Sequence, residues 1–119
     1  LIDPLSLQVG DIILVKLEDA TGNEQQGTRP AVIMAIHIQT KLFFVIPLTS
    51  TDVSRFPFSL FIKATSNNGL SNNSYAMTYQ MRTIASERII KKYGKLEQSI
   101  MDILKEQMKN YLKLCSVKN

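Results

Sequence analysis

The sequence predicts a small, mainly β α+β domain, in which a strongly bent antiparallel sheet or barrel carries one helix packed against it at the C-terminal end. Three observations carry this. Apolar runs at Ile12–Leu17, Ala31–Ile36 and Leu42–Leu48 are short and separated by turn-rich segments. The one clear helical period comes last, in a helix from about Leu96 to Leu114, where Ile100, Ile103, Leu104, Met108, Tyr111, Leu112 and Cys115 fall on one broad stripe. The chain of 119 residues, 45% hydrophobic, shows no repeat and no dividing linker, so residues 1–119 read as a single domain with one core.

In chain order, Gly10-Asp11 signals a turn, and Ile12 to Leu17 is a first strand with apolar residues on both faces. Residues 18–27 form a polar loop of about ten residues, long for a hairpin and so a candidate functional loop. A second strand runs from Thr28 to about Ile36, and a third from Leu42 to Leu48, ending in the hydroxyls of Thr49-Ser50-Thr51. Phe58, Leu60 and Ile62 alternate with Ser59, Phe61 and Lys63, which predicts a fourth strand. After a turn-prone stretch over residues 65–73, Tyr75 to Thr83 reads as one fifth strand. Ser86 is placed to cap a short helix with Glu87 in its first turn, broken by Gly94. On the last helix, Lys105, Lys109 and Lys113 recur opposite the apolar stripe, as on a solvated face.

Composition bounds the function. No apolar run is long enough to span a bilayer, and Leu1-Ile2-Asp3-Pro4 lacks the charged-then-apolar pattern of a secretion signal. The single Cys115 excludes an internal disulfide and a cysteine-based metal cluster, and points to an intracellular, cytoplasmic setting. The net charge of +4 is uneven, with six acidic and five basic residues over 1–80 but nine basic and four acidic over 81–119. A basic C-terminal third suits an anionic partner, either nucleic acid or an acidic protein segment.

The familiar catalytic constellations are absent from the sequence. One histidine, His37, rules out a two-histidine ribonuclease, no glycine-rich phosphate loop occurs, and the carboxylates are not spaced for a divalent cation, so neither a metal nor a cofactor is expected. What remains is polar groups at strand ends. Gly27 allows positive φ, Pro30 stiffens the backbone, and Arg29 between them stands at the mouth of a buried strand, where a guanidinium fork can grip phosphate. Pairing of Arg29 with a carboxylate such as Glu24 is the competing structural reading. Glu24, Gln25 and Thr28 sit beside it, Thr49 and Ser50 end the third strand, and Gln80 and Arg82 stand two apart on the predicted fifth strand, sharing a face.

These residues fall in four ordered blocks that resemble the MazF/PemK family of toxins from bacterial toxin–antitoxin pairs. The blocks are Gly10-Asp11-Ile12-Ile13-Leu14-Val15, Glu24 to Val32, Ile46-Pro47-Leu48-Thr49-Ser50, and Ser74 to Ile84 followed by Arg88 to Leu96. The resemblance implies an SH3-like barrel, a homodimer, and metal-independent cutting of single-stranded RNA by attack of a ribose 2′-hydroxyl, leaving a 2′,3′-cyclic phosphate. It implies Arg29 and Thr49 as a catalytic pair, Glu24 as the candidate base, and Gln25, Thr28, Ser50, Gln80 and Arg82 as substrate-binding residues. A cognate antitoxin is the implied protein partner. The chain departs from some members in carrying Asn23 where they have histidine, Met77 where they have arginine, and Tyr79 where they have an acidic residue. The alternative is a non-catalytic nucleic-acid-binding barrel or a gyrase poison of CcdB type, although the Trp-Gly-Ile ending of the latter is missing here.

Overall fold

The computed structural model describes residues 2–17 and 27–116. Seven strands and one long helix make up these residues, with 3₁₀ turns at Pro4–Ser6, Thr78–Gln80 and Ser86–Arg88. The strands are β1 (Asp11–Lys16), β2 (Thr28–His37), β3 (Leu42–Thr49), β4 (Ser59–Ile62), β5 (Ser74–Met77), β6 (Arg82–Ala85) and β7 (Ile89–Lys95), and α1 spans Gln98–Ser116. The pairing is antiparallel throughout, in the order β4-β5-β3-β2-β1-β7, with β6 on β3. The α+β class, the first four strands and the last helix therefore stand where the sequence puts them.

β3 is the axis of the sheet. One edge pairs with β2, while the other is shared, β6 taking Leu42–Val45 and β5 taking Leu48–Thr49. The register explains why the fifth strand expected from Tyr75 to Thr83 is two strands. Leu48 faces Ala76, but Val45 faces Arg82, so three surplus residues must leave the ladder between them. They form the Thr78–Gln80 turn, anchored where buried Thr78 hydrogen-bonds Gln107 of α1 and donates its backbone N–H to the Phe58 carbonyl at 3.0 Å. Gln80 thus lies in a turn and Arg82 on β6, and the shared strand face expected of them does not exist.

A second correction concerns residues 86–94. Ser86 lies within a 3₁₀ turn and makes no N-cap bond, and the helix expected up to Gly94 is strand β7 paired with β1. Ile89, Ile90 and Tyr93 favour a strand, and Gly94 serves close approach rather than helix breaking. A Cβ at Gly94 would overlap the carbonyl of Asn67, and one at Gly69 (φ +71°) would overlap that of Tyr93. Because both are glycine, the β4–β5 connection lies directly on β7, and Lys95 N–H donates to the Asn67 carbonyl at 2.9 Å. That contact joins the two ends of the sheet and closes the barrel.

β1, β2 and β3 are buried on both faces, as the first strand's unbroken apolar run predicts. Ile12, Val32, Ile46 and Leu48 pack with Leu96, Met101 and Leu104 below α1, while Ile13, Val15, Ala31, Ile33, Phe43 and Val45 meet Leu7, Ile84 and Ile89 on the other side. The helical stripe is only partly used. Leu104 is buried, as is Met101, which the expected stripe omits, but Ile103 and Leu112 remain 48% and 52% exposed, and the Cys115 side chain lies outside the described residues. No helix among the described residues is long and apolar enough to cross a membrane.

Candidate active site

Leu17 N–H donates to the Gly27 carbonyl at 2.8 Å just before β2, with Gly27 at φ +83° as its sequence position suggests. Arg29 follows immediately on β2, opposite Val15 of β1. On the other side, the β2–β3 ladder ends at Ala31 and Pro47, and Arg29 and Thr49 each lie two residues beyond that last pair. The two residues expected to act together thus stand at the same end of one ladder.

They line a cleft of about 310 Å³. Thr28, Arg29 and Pro30 form one wall, Leu48 to Thr51 the next, and the barrel closure supplies Leu70 to Asn72, Ser74 and Tyr93. Leu48 and Leu70 are buried and apolar, whereas Thr28, Ser50, Thr51, Ser71 and Asn72 are exposed and polar. The cleft is therefore apolar below, rich in hydroxyls at the rim, and has one cation among the described residues.

That cation is held in an unusual way. Arg29 is half-buried, its Nη1 donates to the Leu48 carbonyl at 3.4 Å, and its Nε is buried with no hydrogen-bond partner among the described residues. Burial lowers the Arg29 pKa, because removing water disfavours the charged form. A guanidinium remains protonated at neutral pH even so. The positive charge is thus partly desolvated, with a donor unused, as befits a group whose partner is an incoming anion. Thr49 is nearly buried, and its Oγ1 accepts from Thr51 N–H at 3.2 Å, which orients the hydroxyl and folds the chain into the turn after β3.

Of the expected site residues, Arg29, Thr49, Thr28 and Ser50 come together in this cleft, while Glu24 and Gln25 lie outside the described residues. Gln80 and Arg82 do not line it. Arg82 pairs with Val45, four residues from Thr49 along β3, or about 13 Å at ordinary strand rise. Tyr79 packs its ring on Phe56 with centroids 5.6 Å apart, and burial pushes its phenol up, so it is no substitute for a carboxylate base. His37 is exposed at the end of β2, with Nδ1 2.6 Å from Thr40 Oγ1 and away from the cleft. Among the described residues no three His, Cys, Asp or Glu side chains group as metal ligands. Sequence reasoning missed Tyr93, Ser71 and Asn72. The first was placed in a helix and the others in a turn, and only the closure of the barrel brings them to Arg29.

The fold is a small antiparallel β-barrel backed by a C-terminal helix, with a partly desolvated arginine and a nearly buried threonine lining one open cleft. The chain matches the PemK-like, MazF-like toxin family of type II toxin–antitoxin systems over residues 8–112, and it belongs to that family. It is 31% identical over 115 residues to "Endoribonuclease MazF9" of Mycobacterium tuberculosis, a match covering 90% of this chain and 97% of that protein. Its fold is shared by MazF of Deinococcus radiodurans, with a TM-score of 0.77 at 19% identity, covering 90% of this chain and 96% of that one. A mycobacterial endoribonuclease solved in complex with its cognate antitoxin is similar at a TM-score of 0.66 and 16% identity, covering 88% and 93%.

Proposed function

We propose that this chain is an endoribonuclease toxin that cuts single-stranded RNA at the Arg29–Thr49 cleft without a metal, and that a cognate antitoxin neutralises it. The observation that carries this reading is the half-buried Arg29 guanidinium, whose Nε is unpaired among the described residues, in one open cleft with Thr49. Family membership and the likeness to the endoribonuclease MazF9 support it.

In the reaction, the ribose 2′-hydroxyl gives its proton to a base, and its oxygen bonds to the adjacent phosphorus. The bond from phosphorus to the 5′-oxygen then breaks, and the departing oxygen takes up a proton. The products are a 2′,3′-cyclic phosphate and a 5′-hydroxyl. Arg29 meets the charge that builds on the phosphorane oxygens, and a preorganised donor in a partly desolvated site stabilises that charge more than water does. Thr49 hydrogen-bonds the same phosphate through the hydroxyl that Thr51 orients. Glu24 is the base. Thr28 and Ser50 hold the phosphate flanks, Gln25 contacts the substrate, and Gln80 and Arg82 meet RNA beyond the cleft.

The antitoxin presents an acidic segment to this face and to the basic C-terminal third, and the toxin works in the cytoplasm as a homodimer that buries part of its remaining apolar surface. The deciding experiment incubates the purified chain with a long RNA in excess EDTA and maps the ends. Cyclic phosphate at upstream ends and 5′-hydroxyl at downstream ends are expected, whereas intact RNA, or cleavage only with added divalent metal, overturns the reading.

A further inference from the structure

Arg29 and Thr49 account for the phosphate half of the cleft but leave its opposite wall without a task. That wall is built with care. Asn68, buried in the β4–β5 connection, donates from Nδ2 to the Lys63 carbonyl at 2.9 Å, and its Oδ1 accepts from Thr65 N–H and Leu70 N–H at 3.0 Å each. This network, together with the close approach of Gly69 and Gly94, fixes Ser71, Asn72 and Tyr93 in the lining of the cleft that Arg29 shares. Tyr93 is half-buried against the core, and the Lys91 ammonium lies 5.3 Å from its ring centroid. The Asn72 side chain is exposed and makes no hydrogen bond to another described residue.

From this juxtaposition we infer that the wall formed by Tyr93 and Asn72 is a base-binding subsite, taking one unpaired nucleobase next to the phosphate that Arg29 holds, and that it sets sequence preference at that position. The inference rests on the RNA-cleaving reading of the site. A nucleotide is an anion joined to a flat, largely apolar ring with polar edges. The cleft offers those features in order, with a cation at one wall, apolar Leu48 and Leu70 below, and an aromatic ring with an amide at the other wall. Its volume, about 310 Å³, lies at the small end for ligand sites and suits one nucleotide rather than a duplex. Aromatic rings bind unpaired bases with little preference, and discrimination comes from hydrogen bonds to base edges, which an amide can both donate and accept. The Lys91 ammonium, 5.3 Å from the Tyr93 ring centroid, adds positive charge beside the ring.

The test compares wild type with Asn72→Ala, Tyr93→Phe and Tyr93→Ile. The measurements are kcat and KM on short RNAs varied one base at a time around a mapped cut, and binding of the uncleavable 2′-deoxy forms. The Asn72→Ala variant alters an exposed side chain and keeps the fold, so it reads the subsite even where Tyr93→Ile destabilises the barrel. We expect Tyr93→Ile to raise KM and weaken deoxy-oligonucleotide binding roughly 5- to 100-fold while Tyr93→Phe stays near wild type, as stacking requires. Asn72→Ala is expected to flatten the preference at one base position and leave the others unchanged. Unaltered base preference in Asn72→Ala, together with unaltered binding in a folded Tyr93→Ile, overturns the subsite while RNA cleavage by wild type stands. If wild type neither cuts RNA nor binds the deoxy forms, the RNA reading itself falls and takes the subsite with it.

Discussion

The guanidinium of Arg29 reaches across the β2–β3 ladder to the backbone carbonyl of Leu48, with Nη1 and O 3.4 Å apart. This single long bond steers the side chain without saturating it, so the remaining donors stay available to a phosphate. Replacing Arg29 with Lys keeps a positive charge but removes the planar fork that grips two oxygens. Losing an oriented donor at a developing oxyanion costs ~10²–10³ in rate. Arg29→Lys is therefore expected to cleave RNA at least that much more slowly, and Arg29→Ala to be nearly inactive, both with unchanged circular dichroism. Single-turnover cleavage measures this, and a normal rate in Arg29→Ala removes the residue from the mechanism.

The same geometry predicts a cost to stability. A buried Nε without a partner forfeits ~1–3 kcal/mol relative to a satisfied donor, and burial of the charge adds to that loss. Met matches the length of the Arg29 stem and carries no charge. Arg29→Met is expected to be as stable as wild type or more so, by about 1 kcal/mol, and inactive. Urea unfolding decides the point, since a markedly lower midpoint in Arg29→Met means that the guanidinium stabilises the fold.

Thr49 carries two duties that substitutions separate. Its Oγ1 accepts from Thr51 N–H, and the same oxygen is available to substrate. Thr49→Ser preserves the oxygen and is expected to retain cleavage within about tenfold, since the hydroxyl and its backbone partner both survive. Thr49→Val keeps the shape but leaves Thr51 N–H without its acceptor, and should lose ~10² or more in kcat. Equal cleavage by Thr49→Ser and Thr49→Val would assign Thr49 a packing role only.

The Arg29–Thr49 side of the cleft was legible in the sequence because its signals are local. Gly27, Arg29 and Pro30 are consecutive or nearly so, and the strand-end hydroxyls of Thr49 and Ser50 follow an unmistakable apolar run. The base-facing half was not legible, because it depends on register and closure. Nothing in Tyr75 to Thr83 marks the break, since the segment contains no Gly or Pro and the three surplus residues are visible only against β3. Likewise Gly94 reads as a helix stop in isolation, whereas its purpose is to let the backbone at Asn67 and Asn68 pass. Four ordered blocks were enough for the family and the α+β barrel, but not for the side of the cleft that the barrel closure builds.

That closure is open to a direct test at Gly69. Its φ of +71° is strained for any side chain, and a Cβ would run into the Tyr93 backbone rather than into a flexible side chain. Gly69→Ala is therefore expected to cost more than ~1 kcal/mol in urea unfolding. By pushing the β4–β5 connection off β7, it should also weaken RNA binding more than it slows single-turnover chemistry at saturating RNA. Wild-type stability in Gly69→Ala would mean that the connection yields easily and does not fix the cleft wall.

Asp11 tests how β7 is held from the other side. Its carboxylate is fully buried, and Oδ2 accepts from Gln8 N–H at 2.8 Å. Oδ1 has no hydrogen bond but faces the ammonium groups of Lys92 and Lys95 at 3.3 and 3.8 Å, and Lys95 Nζ also donates to Gln8 Oε1 at 2.8 Å. The interaction with Oδ1 is thus charge attraction rather than a formed hydrogen bond, and it draws β7 onto β1 beside the irregular register at Ile12 and Ile13. Asp11→Asn keeps the size and one acceptor but removes the negative charge between two lysines. Both ammonium groups are about half exposed, so water screens part of the loss, and ~1–3 kcal/mol is expected, below the cost of breaking a wholly buried pair. Because β7 carries Tyr93 and Gly94, the same substitution should loosen the base-facing wall of the cleft while leaving Arg29 on β2 in place. Hydrogen exchange is expected to speed up at Lys92 to Lys95 before it does so at Ala31 to Ile33. Uniform acceleration across both strands, or none at all, would show that the Asp11–lysine cluster does not hold β7 selectively.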